Sequence, residues 1–196
     1  FFFYFLCYHR VLHGVVRRQR HMFIRDRPIT VRPNEETRES TICQTDRYDY
    51  LLCKAGAYIT AYRGTANRLT CDTVEGNRIF AIADSVFQKH TELESLILPY
   101  VTLVGDNAFR GCTALTTADL PSVVQVGENA FAGCTALAAI SLPDSVTRIG
   151  ASAFRNCTGA TGIEIGSGLT EIPAYAFADC TGVKDIAFNE GVVTIG

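Results

Sequence analysis

Several things that enzymes, metal proteins and nucleic-acid binders depend on are scarce in this chain of 196 residues. Histidine occurs four times, and His9, His13 and His21 share one basic stretch near the N-terminus. His90 is then the lone imidazole elsewhere, a thin basis for acid–base catalysis. None of the eight cysteines forms a C-x-x-C pair, the spacing of zinc knuckles and dithiol redox sites. Basic residues are not in excess: 18 against 20 acidic overall, and 10 against 16 beyond the first forty residues. A mildly acidic chain is a poor ligand for a phosphate backbone, so no nucleic-acid partner is expected. Long apolar runs are missing too. FFFYFLCY at the N-terminus has about eight residues, well short of a bilayer span, so membrane association is expected only through regions outside the repeats described next. Its positive charge, HRVLHGVVRRQRH, follows rather than precedes it, the wrong flank for a signal peptide. Methionine occurs only at Met22 and not at the first position, so the chain is expected to be a fragment. Residues 1–21 are either the remnant of a signal or membrane segment or non-native sequence upstream of a start at Met22. RPITVRPNEETREST, rich in charge with two prolines, reads as linker.

What the chain has in abundance is repetition. SVFQKHTEL, NAFRGCTAL, NAFAGCTAL, SAFRNCTGA and YAFADCTGV place Phe87, Phe109, Phe131, Phe154 and Phe177 at intervals of 22, 22, 23 and 23 residues. A period of that size is the mark of a solenoid, in which each repeat is one turn and touches mainly its neighbours. The apolar positions recur as L-x-x-I-x-L-P, then V-x-x-I-G, then A-F-x-x-C. One rung runs through Leu93, Leu96, Leu98, Pro99, Val101, Val104, Gly105, Ala108, Phe109 and Cys112. Later rungs begin at Leu115, Leu137, Ala160 and Val183, and the last stops at Gly196 before its own A-F element, so the solenoid is expected to be truncated at the C-terminus.

A single rung buries too little apolar surface to offset the entropy of ordering it. Stacking closes that gap, since parallel strands of successive rungs pair about 4.8 Å apart and cover one another. L-x-x-I-x-L is expected to form a short strand that Pro ends, because Pro cannot donate to a ladder. V-x-x-I predicts a second strand on the other wall, and A-F-x-x-C one helical turn with its apolar side inward. Gly105, Gly127 and Gly150 share a column with Ala83 and Pro173. Pro cannot take a positive φ, so the column reads as a tight approach into that turn rather than as a left-handed position.

L-x-x-I-x-L-P-x-S-V-x-x-I-G-x-x-A-F-x-x-C resembles the BspA-like leucine-rich repeat family, most closely in LAAISLPDSVTRIGASAFRNCTG at 137–159. YDYLLCKAGAYITAYRGTANRLTCDTVEGNRIFAIADSVF resembles the β-rich segment that leads into such repeats, so that the likeness covers about residues 47–196. The resemblance implies a right-handed leucine-rich-repeat superhelix with short parallel strands and one helical turn per rung. It also implies bacterial or protist surface proteins involved in adhesion, without a common active site. The chain departs from the pattern at His90, which replaces the repeat Cys, at Pro173, and at Ile165-Gly166-Ser167-Gly168 in place of L-P-x-S. The expected organisation is an uncertain basic segment at 1–40, a β-rich capping module at 41–78 and the solenoid at 79–196.

Cys112, Cys134, Cys157 and Cys180 fall in one column. Stacking brings their Cα atoms within disulfide range, but parallel Cβ vectors oppose bridging, so a ladder of buried free thiols is expected. Cys53 and Cys71 are a possible pair across the β-rich module, and the redox state of Cys7 and Cys43 is open. His90 reads as a rim residue of the core. Asp119 and Glu164 share an exposed column, but at two rungs apart they read as a solvated face rather than an acid and base. Gly166-Ser167-Gly168 lacks the Lys of a phosphate loop and reads as a turn. Asn156-Cys157-Thr158 matches a glycosylation sequon.

The leading expectation is thus a non-enzymatic protein-binding or adhesion module of a cell-surface or secreted protein, with no cofactor, metal or small-molecule substrate. An intracellular protein-interaction scaffold is the alternative, and the binding region of a larger enzyme a remote one. The register names the outward residues of the strand face as candidate ligand contacts. They are Glu94, Ser95 and Ile97; Thr116, Thr117 and Asp119; Ala138, Ala139 and Ser141; Thr161, Gly162 and Glu164; and Lys184, Asp185 and Ala187. This surface is flat and weakly acidic, without the aromatic and Arg anchors that usually dominate binding energy.

Overall fold

The computed structural model describes residues 41–70, 73–188 and 191–196. The basic N-terminal segment, with Cys7, His9, His13 and His21, lies outside the described residues, as does Cys71 and with it the Cys53 to Cys71 pairing.

The segment rich in Tyr, Leu and Ile around residues 48–62 suits half-buried strands. It forms β2 (Tyr48–Cys53) and β3 (Gly56–Tyr62), antiparallel to each other, with β1 (Thr41–Gln44) antiparallel on the far side of β2. Arg63 forks onto Asp49 at 2.6 and 2.7 Å across the open end of this hairpin. β3 next pairs in parallel with β6 (Asn77–Ile82), which also takes β5 (Thr73–Val74) antiparallel. That single parallel step converts the meander into a solenoid. β4 (Arg68–Thr70) and β6 already supply the two walls of a first rung.

In the repeats, L-x-x-I-x-L gives β7 (Ser95–Ile97), β9 (Thr117–Asp119), β11 (Ile140–Leu142), β13 (Gly162–Ile165) and β15 (Asp185–Phe188). V-x-x-I gives the two-residue strands β8 (Leu103–Val104), β10 (Gln125–Val126), β12 (Arg148–Ile149), β14 (Glu171–Ile172) and β16 (Thr194–Ile195). The first set stacks in parallel on one wall and the second on the other, as the spacing predicts. Between them lies one continuous core of Leu, Ile and Val side chains. A ring column runs through it, Tyr62, Phe87, Phe109, Phe131, Phe154 and Phe177, with successive centroids 4.9, 5.1, 5.1, 5.3 and 5.7 Å apart. In the last rung the inward columns surface, and Ile186, Phe188 and Ile195 are exposed.

The expected helical turn does not form: among the described residues there is no helix. Two residues in each A-F-x-x-C segment have positive φ, flanking the Phe: Ser85 and Lys89, Asn107 and Gly111, Asn129 and Gly133, Ser152 and Asn156, Tyr175 and Asp179. These left-handed positions swing every second N–H along the solenoid axis. The N–H of Phe87, Phe109, Phe131 and Phe154 each meets the carbonyl of an Ala in the next rung, Ala108, Ala130, Ala153 and Ala176, at 2.7 to 2.8 Å. The alternate N–H groups close three-residue turns inside the rung, as Cys112 does onto Phe109 at 3.2 Å. A helix would consume all of them internally and leave neighbouring rungs unjoined.

The glycine column is, as expected, not left-handed at Gly105, Gly127 or Gly150. Close approach is the reason for it. A Cβ at these three positions would stand 2.4 to 2.6 Å from the backbone of the preceding rung. Each of the three N–H groups bonds the carbonyl of the preceding rung's V-x-x-I strand, Ile82, Val104 and Val126, at 2.8 to 2.9 Å. Pro173 can offer neither the space nor the donor. Accordingly the second wall is interrupted there: β6, β8, β10 and β12 form one ladder, and β14 pairs only with β16.

The first wall is interrupted one interface earlier. β4, β7 and β9 make one sheet and β11, β13 and β15 another. Two sequence features coincide at this point. The interval changes from 22 to 23 residues, with Asp144 as the extra residue in the turn after β11, and Ala118 stands in the column of Leu96, Ile140, Ile163 and Ile186. Ala118 leaves that column short of apolar volume at the break, while β12, the strand after Asp144, keeps its pairing with β10.

Beside the glycine column, Asp84 Oδ1 accepts the N–H of Asp106 at 2.8 Å, and Asp106 Oδ1 that of Glu128 at 2.7 Å. Burial raises the Asp84 carboxyl above its ordinary 3.8 and the Asp106 charge adds to this, while the bond from the Asp106 N–H opposes it. A carboxyl raised in the folded state favours folding at low pH, and that contribution is lost as the pH rises through its folded value. Asn at position 84 keeps the acceptor and cannot ionise. In urea unfolding, the midpoint of Asp84→Asn is therefore expected to gain on that of the wild type as the pH rises from about 4 to 7; a constant difference would show that Asp84 is not the responsible group.

Phe131 is flanked by packed rungs on both sides and is 1% exposed. Phe131→Ala is expected to cost about 3 to 5 kcal/mol, whereas Thr117→Ala, on the solvated face, should stay within about 0.5 kcal/mol. Equal unfolding midpoints for the two would contradict the inward register.

Candidate functional site

Alternation along each strand of the first wall sends one set of side chains into the core and the other to solvent. Glu94, Ile97, Thr116, Thr117, Asp119, Ala138, Ala139, Ser141, Thr161, Glu164, Lys184, Asp185 and Ala187 are exposed, and Ser95 and Gly162 are half-buried. Parallel pairing places Ser95 beside Thr117, Ile97 beside Asp119, Ser141 beside Glu164, Gly162 beside Asp185 and Glu164 beside Ala187. Hydroxyls tie the rungs along this surface. Thr116 Oγ1 donates to the Glu94 carbonyl at 2.8 Å, Thr161 Oγ1 to that of Ala138 at 3.2 Å, and Thr117 Oγ1 meets Ser95 Oγ at 3.1 Å.

The structure does not join these residues into one sheet. Ala138 N–H still reaches the Thr116 carbonyl at 3.1 Å, but between Asp119 and Ser141 the ladder is missing, so the face is two patches on either side of a gap. Sequence reasoning also missed Arg68 and Thr70, which pair with Ser95 and Ile97 and extend the face by one strand. The R-L-T alternation was their only signal. The face carries Glu94, Asp119, Glu164 and Asp185, with Arg68 at one end and Lys184 near the other. Acids therefore dominate its middle. Ile97, 37% exposed, is its one large apolar side chain.

The remaining motifs fall where their chemistry is quiet. His90 is half-buried, with its ring 5.2 Å from Tyr62 and 6.0 Å from Phe87. Gly166-Ser167-Gly168 is a turn held by Asp144, whose Oδ1 accepts the N–H and hydroxyl of Ser167 at 2.7 and 3.0 Å. Asn156 of the sequon is exposed in a left-handed turn beside the buried Cys157. Among the described residues no three His, Cys, Asp or Glu side chains gather as a metal site, and no helix is long and apolar enough to cross a membrane.

The cysteine column is unbridged. Each thiol donates to the carbonyl of the Phe in the preceding rung: Cys112 to Phe87, Cys134 to Phe109, Cys157 to Phe131 and Cys180 to Phe154, at 3.1 to 3.3 Å. Burial pushes Cys112 up to about 12 and Cys134 higher. Cys180, at the end of the column, is only half-buried. When it ionises, the neighbouring Cys157 thiol can turn its hydrogen toward it, which draws Cys180 down to about 7 and, with burial, holds Cys157 well up. Iodoacetamide at neutral pH should therefore label Cys180 first, and Cys112, Cys134 and Cys157 only after denaturation. Mass spectrometry that found a disulfide between neighbouring members, or uniform labelling of all four, would contradict this arrangement.

Six copies of the BspA type leucine rich repeat match residues 80–196. The chain belongs to the BspA-type leucine-rich repeat family. Among solved structures, this leucine-rich repeat chain is similar to a leucine rich cell surface protein from Faecalibacterium prausnitzii. The two share 28% identity and a TM-score of 0.63 over 73% of this chain and 38% of that one. The T. pallidum leucine rich repeat protein superposes with a TM-score of 0.60 at 22% identity, covering 79% of this chain and 86% of its own. A leucine-rich repeat protein from Eubacterium ventriosum gives 0.58 at 18%, over 82% and 51% of the two chains. The last two speak to the fold alone. No curated protein sequence matches the chain.

Proposed function

We propose that this leucine-rich repeat chain is a non-enzymatic protein-binding module of a cell-surface or secreted protein, and that its strand face carries the contact. The observation behind this reading is the in-register set of small, exposed side chains held by rungs locked to one another through backbone and hydroxyl bonds. The cell-surface assignment leans on the Faecalibacterium protein, a cell surface protein 28% identical to this chain. A face without Trp or Tyr anchors binds weakly at each rung, and repetition along a longer surface adds avidity. Its central acids favour cationic ligands and speed their encounter, an effect that salt screens.

The test is a pair of double substitutions to Lys read on a protein array. Asp119→Lys combined with Glu164→Lys alters the strand face, while Gln125→Lys combined with Glu171→Lys alters the other wall. Array proteins that bind the wild type in a salt-sensitive way should lose about tenfold or more in signal with the first variant and little with the second. Equal loss with both, or none with the first, would overturn the assignment of the binding face.

A further inference from the structure

The gap between β9 and β11 is more than a missing ladder. Where Leu96 and Leu98 of the preceding rung are fully buried, Ala118 and Leu120 are only partly covered. Beneath them lies a cavity of about 20 Å³ lined by Ala118, Leu120, Phe131, Ile140, Leu142 and Phe154, with Ala139 and Ser141 at its rim. Both rim residues are exposed on the strand face. The core is thus reachable from that face at this one break of the ladder, through a mouth where apolar surface outweighs polar. A space of that size matches about one water or one methyl group, and its lining side chains, Ser141 apart, are apolar. The methyl tip of an aliphatic side chain suits it. The charges around the mouth are Asp119 on one strand and Glu164, beside Ser141, on the other side, with Glu94 a rung away.

We infer that this gap is the anchoring point of the strand face, and that it takes the tip of a Val, Ile or Leu side chain from an extended, basic segment of a protein ligand. The inference rests on the proposed use of the strand face and adds to it a location and a ligand chemistry. Desolvated apolar contacts are what fix a ligand in register. The acids around the mouth select the cationic flanks.

Short synthetic peptides that alternate Lys and Thr around one varied central residue provide the probe, with binding followed by fluorescence anisotropy. Peptides with Val, Ile or Leu at the centre should bind about tenfold more tightly than those with Gly, the discrimination that a small apolar pocket achieves. Ala118→Leu should fill the cavity from within. It is expected to raise the denaturation midpoint and to abolish the preference among peptides. Ala139→Tyr, on the exposed rim, should abolish the preference by covering the mouth without entering the core, and serves if the first variant folds poorly. Asp119→Lys with Glu164→Lys should weaken all the peptides about equally. If either plug leaves the Ile-over-Gly preference intact, or if the wild type shows no such preference, the anchoring inference is overturned while the strand-face reading stands. If the charge reversal leaves peptide binding unchanged, the strand-face reading itself fails.

Discussion

The hydrogen bond from an alternate backbone N–H to the carbonyl of the next rung is the interaction on which the rest of this molecule depends. A rung is too small to hold its own shape, and what fixes it is the rung beneath. Once Phe109 donates to Ala130 and Gly111 to Ala132, the rungs sit about one strand spacing apart. Everything else repeats at that distance: the rings stack, the thiols reach the Phe carbonyls, and the Asp84 and Asp106 carboxylates each cap the rung that follows. The ring geometry is therefore imposed more than chosen. Parallel rings about 5 Å apart follow from rung spacing, and offset packing is what remains available to them.

Glycine serves this spacing in two distinct ways. At Gly111 and Gly133 it adopts the left-handed backbone that turns an N–H toward the axis. At Gly105, Gly127 and Gly150 it removes a Cβ that would strike the rung below. Lys89, Asn156 and Asp179 take the same left-handed backbone in the other rungs, so this first kind of position accepts a side chain. In the second column Ala83 still donates to the Ile59 carbonyl of the β-rich module at 2.9 Å, whereas Pro173, without a donor, shows the result as a ladder that stops and restarts.

The strands and the ring column were legible because a period of 22 or 23 residues, with alternation inside it, leaves little freedom for Leu96, Leu120 or Phe131. The turn was misread for a specific reason. Ala108, Phe109 and Cys112 have the spacing of one helical face, and compact turns that bury the same residues share it. Asn107, Asn129, Gly111 and Gly133 on either side of Phe were the available signal, since these residue types mark left-handed positions. The role of β4 was hidden because Leu69 pairs with Leu96 across a separation longer than the repeat. Within the repeats the outward residues of the candidate face could be named from alternation, whereas Arg68 and Thr70 of β4 could not. The division of that face into two patches could not be read either, because β9 and β11 keep the alternation and the small Ala118 is a change of volume rather than of pattern. Which residues meet a ligand is a property of the partner as well, and periodicity carries no trace of it.

The two interruptions lie on opposite walls and at successive interfaces, so at each one the other wall remains hydrogen-bonded across the break. This has a consequence for how such a chain can change length over generations. Gain or loss of a whole rung brings its own donors, acceptors, ring and thiol, and the new interfaces are the same as the old. A single inserted residue, as at Asp144, is taken up in a turn while the strands on either side of it, β11 and β12, stay paired with β13 and β10. The unit of inheritance that this architecture accepts is the rung, and irregularities within a rung persist where they are staggered.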